Sequence, residues 1–297
     1  MRGFLYRVFV GASRWVGVWI VAAFAWVVST GYFVFRRDRV RESLRFYGAL
    51  FPDRGGAHAQ RLAWRQFHAF ASLFAERLRL RADEPFEVEE EGLEALGAAA
   101  REGRGAVLVM SHVGSWEIAA RLLRRRGFRM MLHMGARERE QVERAQKADL
   151  RVDGVEVVVA GAGEGSAFDG VEGLRFLRGG GFVSLPADRP RAGESRIVDV
   201  RFAGRPARLS AAPWVLALVS GAPLFHFFSM RLGRRRYRFT AAGPVRLEVA
   251  SRAAREEAIR RAAQCYADEL EAVVRRHPEQ WYSFERFLGD EEPPPSP

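Results

Sequence analysis

Five consecutive apolar residues, Ala106-Val107-Leu108-Val109-Met110, constrain the fold of this chain more than any other stretch. Side chains alternate between the two faces of a strand, so a strand apolar at every position must be covered on both sides, as in the central parallel strands of layered α/β proteins. The sequence around it alternates accordingly. Strand patterns are expected at Phe86 to Glu90, Phe128 to Met134, Val155 to Ala160, Phe182 to Leu185, Ile197 to Phe202, Leu224 to Leu232 and Tyr237 to Ala241. Helical patterns fall at Leu93 to Ala100, Ser115 to Arg126, Arg137 to Leu150, Gly170 to Leu177, Ala211 to Val219 and Ala253 to Arg276. The order predicts an α/β fold with a mixed, largely parallel sheet flanked by helices.

The apolar run ends at Ser111-His112-Val113-Gly114-Ser115-Trp116-Glu117. Ligands of open α/β sheets bind at the carboxyl ends of the strands, and here that end delivers a histidine with a glutamate five residues on. Imidazole titrates near neutrality and can take a proton from a hydroxyl, while a carboxylate beside it fixes the tautomer. His112 and Glu117 are therefore the expected catalytic pair, with Gly114 permitting a tight turn and Ser115 as the expected N-cap.

A second feature lies upstream. Trp15 to Phe35 runs for 21 residues without a charge, flanked by Arg2, Arg7 and Arg14 on one side and Arg36, Arg37 and Arg39 on the other. About 20 such residues span a bilayer, so an N-terminal membrane helix is expected, the denser arginine cluster placing the following domain on the cytoplasmic side. A core helix is the alternative. Val40, Leu44, Tyr47 and Phe51 recur at helical spacing, as in an amphipathic helix at the interface or one packed on the domain. Residues 1–52 then form the anchor, 53–290 the α/β domain, and 291–297 a Pro-rich tail.

A formal charge of +11 calls for an anionic partner such as a lipid surface, a phosphorylated glycolipid, an acidic carrier protein or nucleic acid. No helix-turn-helix, zinc-finger or RNA-binding pattern supports the last, although a membrane-anchored basic binding module stands as the non-enzymatic alternative. The single cysteine, Cys265, excludes an internal disulfide and reads as a core residue of the last helix. His133 and His226 sit in apolar strand patterns without carboxylate or cysteine neighbours in sequence and read as structural. No metal site is expected. Gly161-Ala162-Gly163-Glu164-Gly165 lacks the lysine and hydroxyl of a phosphate loop and reads as a turn or active-site flap.

Three blocks carry a family resemblance: His112-Val113-Gly114-Ser115-Trp116-Glu117, Asp188-Arg189-Pro190 with Val200-Arg201-Phe202-Ala203-Gly204-Arg205-Pro206, and His277-Pro278-Glu279-Gln280-Trp281-Tyr282. In this order they resemble the bacterial lipid A biosynthesis acyltransferases, late lauroyl and myristoyl transferases of the lysophospholipid acyltransferase superfamily. Ser115, Arg189 and Ser283-Phe284-Glu285-Arg286-Phe287 depart from the usual pattern, the last looking closer to relatives associated with aryl polyene lipids. The resemblance implies transfer of an acyl chain from an acyl carrier protein or CoA thioester to a hydroxyl of a glycolipid such as a lipid A precursor, at the bacterial inner membrane, with no cofactor. Specialised lipids of the aryl polyene type and lysophospholipids are the alternative acceptors. His112 would be the base and Glu117 its orienting partner. Ser115, Asp188, Arg189, Arg205 and Arg208 are the expected substrate contacts, with Arg121, Arg124 and Arg125 receiving the carrier protein or phosphates. Backbone N–H groups after Gly114, or Arg189, would stabilise the oxyanion.

Overall fold

The computed structural model describes residues 18–81, 85–135, 150–151, 154–160, 167–190, 194, 196–247, 249 and 251–290. The Arg137 to Leu150 helix apart from its last residue, the 161–165 loop and the Pro-rich tail lie outside the described residues.

The described residues open with three helices, α1 (Val18–Phe35), α2 (Arg37–Leu50) and α3 (Gly55–Arg81). The alternating part follows as β1 (Glu87–Glu91), α4 (Leu93–Arg101), β2 (Ala106–Met110), α5 (Trp116–Arg125), β3 (Met130–Gly135), β4 (Glu156–Ala160), α6 (Ala167–Arg178) and β5 (Phe182–Pro186). It closes with β6 (Ile197–Phe202), β7 (Arg205–Ser210), α7 (Ala212–Ser220), β8 (Leu224–Gly233), β9 (Arg236–Val245) and α8 (Arg252–Arg276).

Seven strands form one sheet in the order β1-β9-β8-β2-β5-β3-β4, parallel throughout except for the β8–β9 pair. The expected α/β class and largely parallel sheet are thus present, with β2 at the centre. Alternate residues of β2 feed different cores. Val107 and Val109 join Trp214, Tyr266, Leu270 and Tyr47 on one face. Ala106, Leu108 and Met110 join Leu96, Ile118, Leu123 and Phe225 on the other.

Two features depart from the sequence expectation. β7 pairs with β6 in a separate two-stranded antiparallel hairpin whose turn holds Ala203 and Gly204 at φ of 51° and 74°. Two-residue hairpin turns need positive φ, and the Ala-Gly pair at that turn was the available signal. The expected N-terminal membrane helix is also not supported: among the described residues no helix is long and apolar enough to cross a membrane. With 18 residues, α1 extends about 27 Å. One side of it is committed to α3, through Ser29 Oγ donating to the Phe67 carbonyl at 2.6 Å, Thr30 Oγ1 3.0 Å from His68 Nε2, and Phe33 edge-on to Trp64 and Phe67. Residues 15–17 lie outside the described residues. The apolar face of α2 turns into the protein. Tyr47 and Leu50 are fully buried in the core that holds Val107 and Trp214.

α3 is fastened to the sheet by a buried polar cluster. Glu76, 2% exposed, accepts from Arg231 Nη1 at 2.8 Å and from the Tyr237 hydroxyl, and Arg231 also donates to Ser72 Oγ at 2.8 Å. Burial first, then the neighbouring Glu76 carboxylate, push the Tyr237 phenol well above its ordinary pKa, so it stays a donor.

Candidate active site

The register of β2 against β5 builds the centre of the site. Met110 lies opposite Pro186 in parallel pairing, and the ladder continues as the Ala187 N–H donates to the Met110 carbonyl at 2.8 Å. Two residues beyond that pair, His112 and Asp188 meet. Asp188 Oδ2 accepts from the His112 backbone N–H at 2.9 Å, and Oδ1 lies 2.9 Å from Nδ1 of the ring. The Asp188 side chain is fully buried, whereas that of His112 is 29% exposed.

Burial by itself would raise the Asp188 carboxyl. The His112 charge and hydrogen bonds, with Arg189 behind them, outweigh it and hold the group below the ordinary carboxylate range. An ionised carboxylate can only accept, so Nδ1 carries the proton and Nε2 is left as the basic nitrogen.

This corrects the sequence reading of Glu117. That residue is 5% exposed in the first turn of α5 and lies 3.1 Å from Arg121 Nη2, one helical turn on. The ring nitrogen it was expected to hold is taken by Asp188. Arg121 is itself 4% exposed, so it does not form the carrier-protein surface assigned to it. Arg124 reaches back to the Gly154 carbonyl at 3.0 Å, and Arg125 is exposed.

The loop that carries His112 is fixed by two other parts of the chain. Gly114 has φ of 68°, and a Cβ there would lie 1.9 Å from the Ser229 carbonyl oxygen, so only glycine fits. The Gly114 N–H donates to Gln280 O and the Ser115 N–H to Ser229 O, both at 2.8 Å. Both groups are spent on structure, which removes the Ser115 N–H, the first of the expected oxyanion donors after Gly114. Ser115 stands at the start of α5 without a side-chain capping bond and is 3% exposed.

The His277 to Tyr282 block supplies the rest of the clamp. Tyr282 N–H donates to the His112 carbonyl at 2.7 Å, Val113 bridges to Trp281, and the Gln280 side chain bonds both backbone groups of Arg231 at 2.9 and 2.8 Å. Trp281 and Tyr282 are 1% and 7% exposed, so they close the core.

Arg189 follows Asp188, with Nη2 3.4 Å from the Tyr282 carbonyl and Nε 3.8 Å from Glu285, an acid that also pairs with Arg39 at 3.2 Å. The other two arginines lie on the β6–β7 hairpin. Ser210 anchors one end of it to Ala187, Arg205 stands at the turn about 17 Å along the strand, and Arg208 faces Asp199 at 3.5 Å with both side chains largely exposed.

His226 is not the isolated core histidine that its strand suggested. Nδ1 lies 2.9 Å from Glu269 Oε2, and Cys265 donates to Oε1 of the same carboxylate at 3.7 Å. Cys265 is exposed, contrary to its reading as a core residue, because it occupies the outer side of α8. His133 is buried in β3, as expected of a structural residue.

A largely parallel sheet with an imidazole–carboxylate pair at its strand ends defines an α/β protein whose site offers an oriented base. The family model described as bacterial lipid A biosynthesis acyltransferase matches residues 12–288, and the chain belongs to that family. It is accordingly an acyltransferase of lipid A biosynthesis, acting on a lipid A-type acceptor, and the non-catalytic binding-module reading falls. No curated protein matches the sequence.

Proposed function

We propose that the protein transfers a fatty acyl chain from an acyl carrier protein or CoA thioester to a hydroxyl of a lipid A precursor, with His112 as general base and Asp188 as its positioning residue. The observation that carries this reading is the doubly bonded His112–Asp188 pair, which leaves Nε2 as the free base. Nε2 takes the proton of the acceptor hydroxyl as its oxygen attacks the thioester carbonyl. Collapse of the tetrahedral intermediate forms the ester and breaks the C–S bond, and the imidazolium returns the proton to the leaving thiolate. No covalent enzyme intermediate is needed. With the Gly114 and Ser115 N–H groups engaged elsewhere, Arg189 is the cation suited to the developing oxyanion or to an acceptor phosphate. A preorganised donor of this kind contributes about 3 kcal/mol.

The same reading places the protein on the cytoplasmic face of the bacterial inner membrane, resting on it rather than crossing it. Its support is the outer side of α1, where Trp19, Phe24, Val27, Tyr32, Val34 and Phe35 are all more than half exposed. Such a face beside Arg36, Arg37 and Arg41 suits insertion into an anionic interface. The charge of +11 likewise favours both an acidic carrier and anionic lipid.

The test is acyl transfer from carrier-protein and CoA thioesters to lipid A precursors by the full-length protein, with and without anionic vesicles. His112→Ala is expected to lower kcat by about 10³-fold while the protein stays folded. Equal rates for wild type and variant would refute the base assignment. Trp19→Ser with Phe35→Ser is expected to reduce flotation with vesicles severalfold, and unchanged flotation would remove α1 as the docking element.

A further inference from the structure

We propose that His226, Cys265 and Glu269 form a binding site for a zinc-like divalent transition-metal ion, separate from the His112 centre. One donor atom from each residue lies within 4.8 Å of the other two, and among the described residues no other trio of such donors comes together. Cys265 and Glu269 are four residues apart on α8 and so share one face of the helix. His226 projects from β8 beneath them, its Nδ1 2.9 Å from Glu269 Oε2.

Zinc bonds nitrogen and oxygen at about 2.0–2.2 Å and sulfur at about 2.3 Å, which sets tetrahedral donors roughly 3.2–3.7 Å apart. The Cys265 Sγ to Glu269 Oε1 distance is 3.7 Å. The remaining separations, within 4.8 Å, involve the side chains of Cys265 and Glu269, both at least partly exposed and so able to turn toward a common ion. The third donor is already oriented, because the His226 side chain is 1% exposed and packs edge-on against the Tyr266 ring with centroids 5.0 Å apart.

Charge and donor type agree. A thiolate and a carboxylate cancel the two charges of the ion, leaving a half-buried site neutral. A mixed sulfur, nitrogen and oxygen set prefers zinc-like ions over magnesium or calcium, which take oxygen alone. The exposed side of Cys265 provides entry, and solvent would supply a fourth donor. The site joins α8 to the sheet next to the strand that leads to His112, since His226 pairs in register with Val109 of β2. A bound ion would therefore stabilise the scaffold without touching the reacting atoms.

The experiment titrates untagged full-length protein with Co²⁺, read by absorption, and with Zn²⁺ in competition with a chromophoric chelator. One equivalent of each is expected to bind, Co²⁺ giving the near-ultraviolet thiolate charge-transfer band and intense tetrahedral visible bands, and Zn²⁺ raising Tm. Cys265→Ser should abolish the charge-transfer band and weaken Zn²⁺ at least tenfold. Glu269→Gln should weaken Zn²⁺ at least tenfold and keep the band. Absence of stoichiometric binding, or Zn²⁺ affinity unchanged in Cys265→Ser, overturns the site. Should that variant fail to fold by circular dichroism, unchanged affinity in Glu269→Gln overturns it instead. None of these readouts depends on acyl transfer, so they stand apart from the fate of the functional reading.

Discussion

Two imidazole–carboxylate pairs flank the centre of this molecule with the same Nδ1 to oxygen separation of 2.9 Å, yet they are built inside out relative to each other. In the first, the Asp188 carboxylate is sealed and the His112 ring is 29% exposed; in the second, the His226 ring is 1% exposed and Glu269 is 37% exposed. Burial decides what each can do. A sealed carboxylate holds its charge against one partner and leaves the far ring nitrogen open to substrate. A sealed imidazole offers no nitrogen to a substrate, and its open carboxylate meets Cys265 instead. Distance alone would have called both catalytic.

The strongest way to break this contrast is Asp188→Asn. An amide in place of the carboxylate can donate to Nδ1, favouring the wrong tautomer, and kcat should fall on the order of 10³-fold with the fold intact. The matching change in the other pair, Glu269→Gln, should leave acyl transfer within threefold of wild type. Comparable losses in the two variants, measured as initial rates, would end the distinction.

A smaller effect concerns the second carboxylate of the signature. Glu117→Gln leaves the Arg121 charge buried beside a neutral amide, and stability should drop by about 3 kcal/mol, read from urea unfolding. A loss below about 1 kcal/mol would mean that the Glu117–Arg121 pair does not hold the start of α5.

The smallest effect is a pH dependence of stability. The folded pKa of Asp188 is depressed, so its contribution is fully present above the unfolded value of about 3.9 and is lost as pH falls through the lower folded value. Asp188→Asn should therefore flatten the acid end of a Tm against pH curve below about pH 4. The acid limb of kcat/KM near neutrality should not come from this carboxylate, which stays ionised there. An identical acid dependence of Tm in wild type and variant would contradict the direction of the shift.

Much of this arrangement was legible in local sequence. The apolar run from Ala106 to Met110 set the central strand and the two-sided core, and the abrupt Ser111-His112-Val113-Gly114 ending put the imidazole where a parallel sheet presents ligands. Gly114 was readable as a turn residue, although its deeper reason, the Ser229 carbonyl 1.9 Å from where a Cβ would stand, lies 115 residues away. The N-terminal apolar stretch was legible as hydrophobic but not in its placement. Hydropathy does not distinguish lipid from a neighbouring helix, and α3 provides the partner.

The amino-acid order determined the layered α/β class, the strand that carries the base, and the three blocks that mark the family, because each is written in the period of side chains along a single element or in a short contiguous motif. Only the tertiary structure decided that Asp188 rather than Glu117 orients His112, that Gln280 and Tyr282 clamp its loop, and that His226 meets Cys265 and Glu269. Those pairings depend on strand order and register, which bring together residues 76, 166, 170 and 39 to 43 positions apart through contacts no local pattern records.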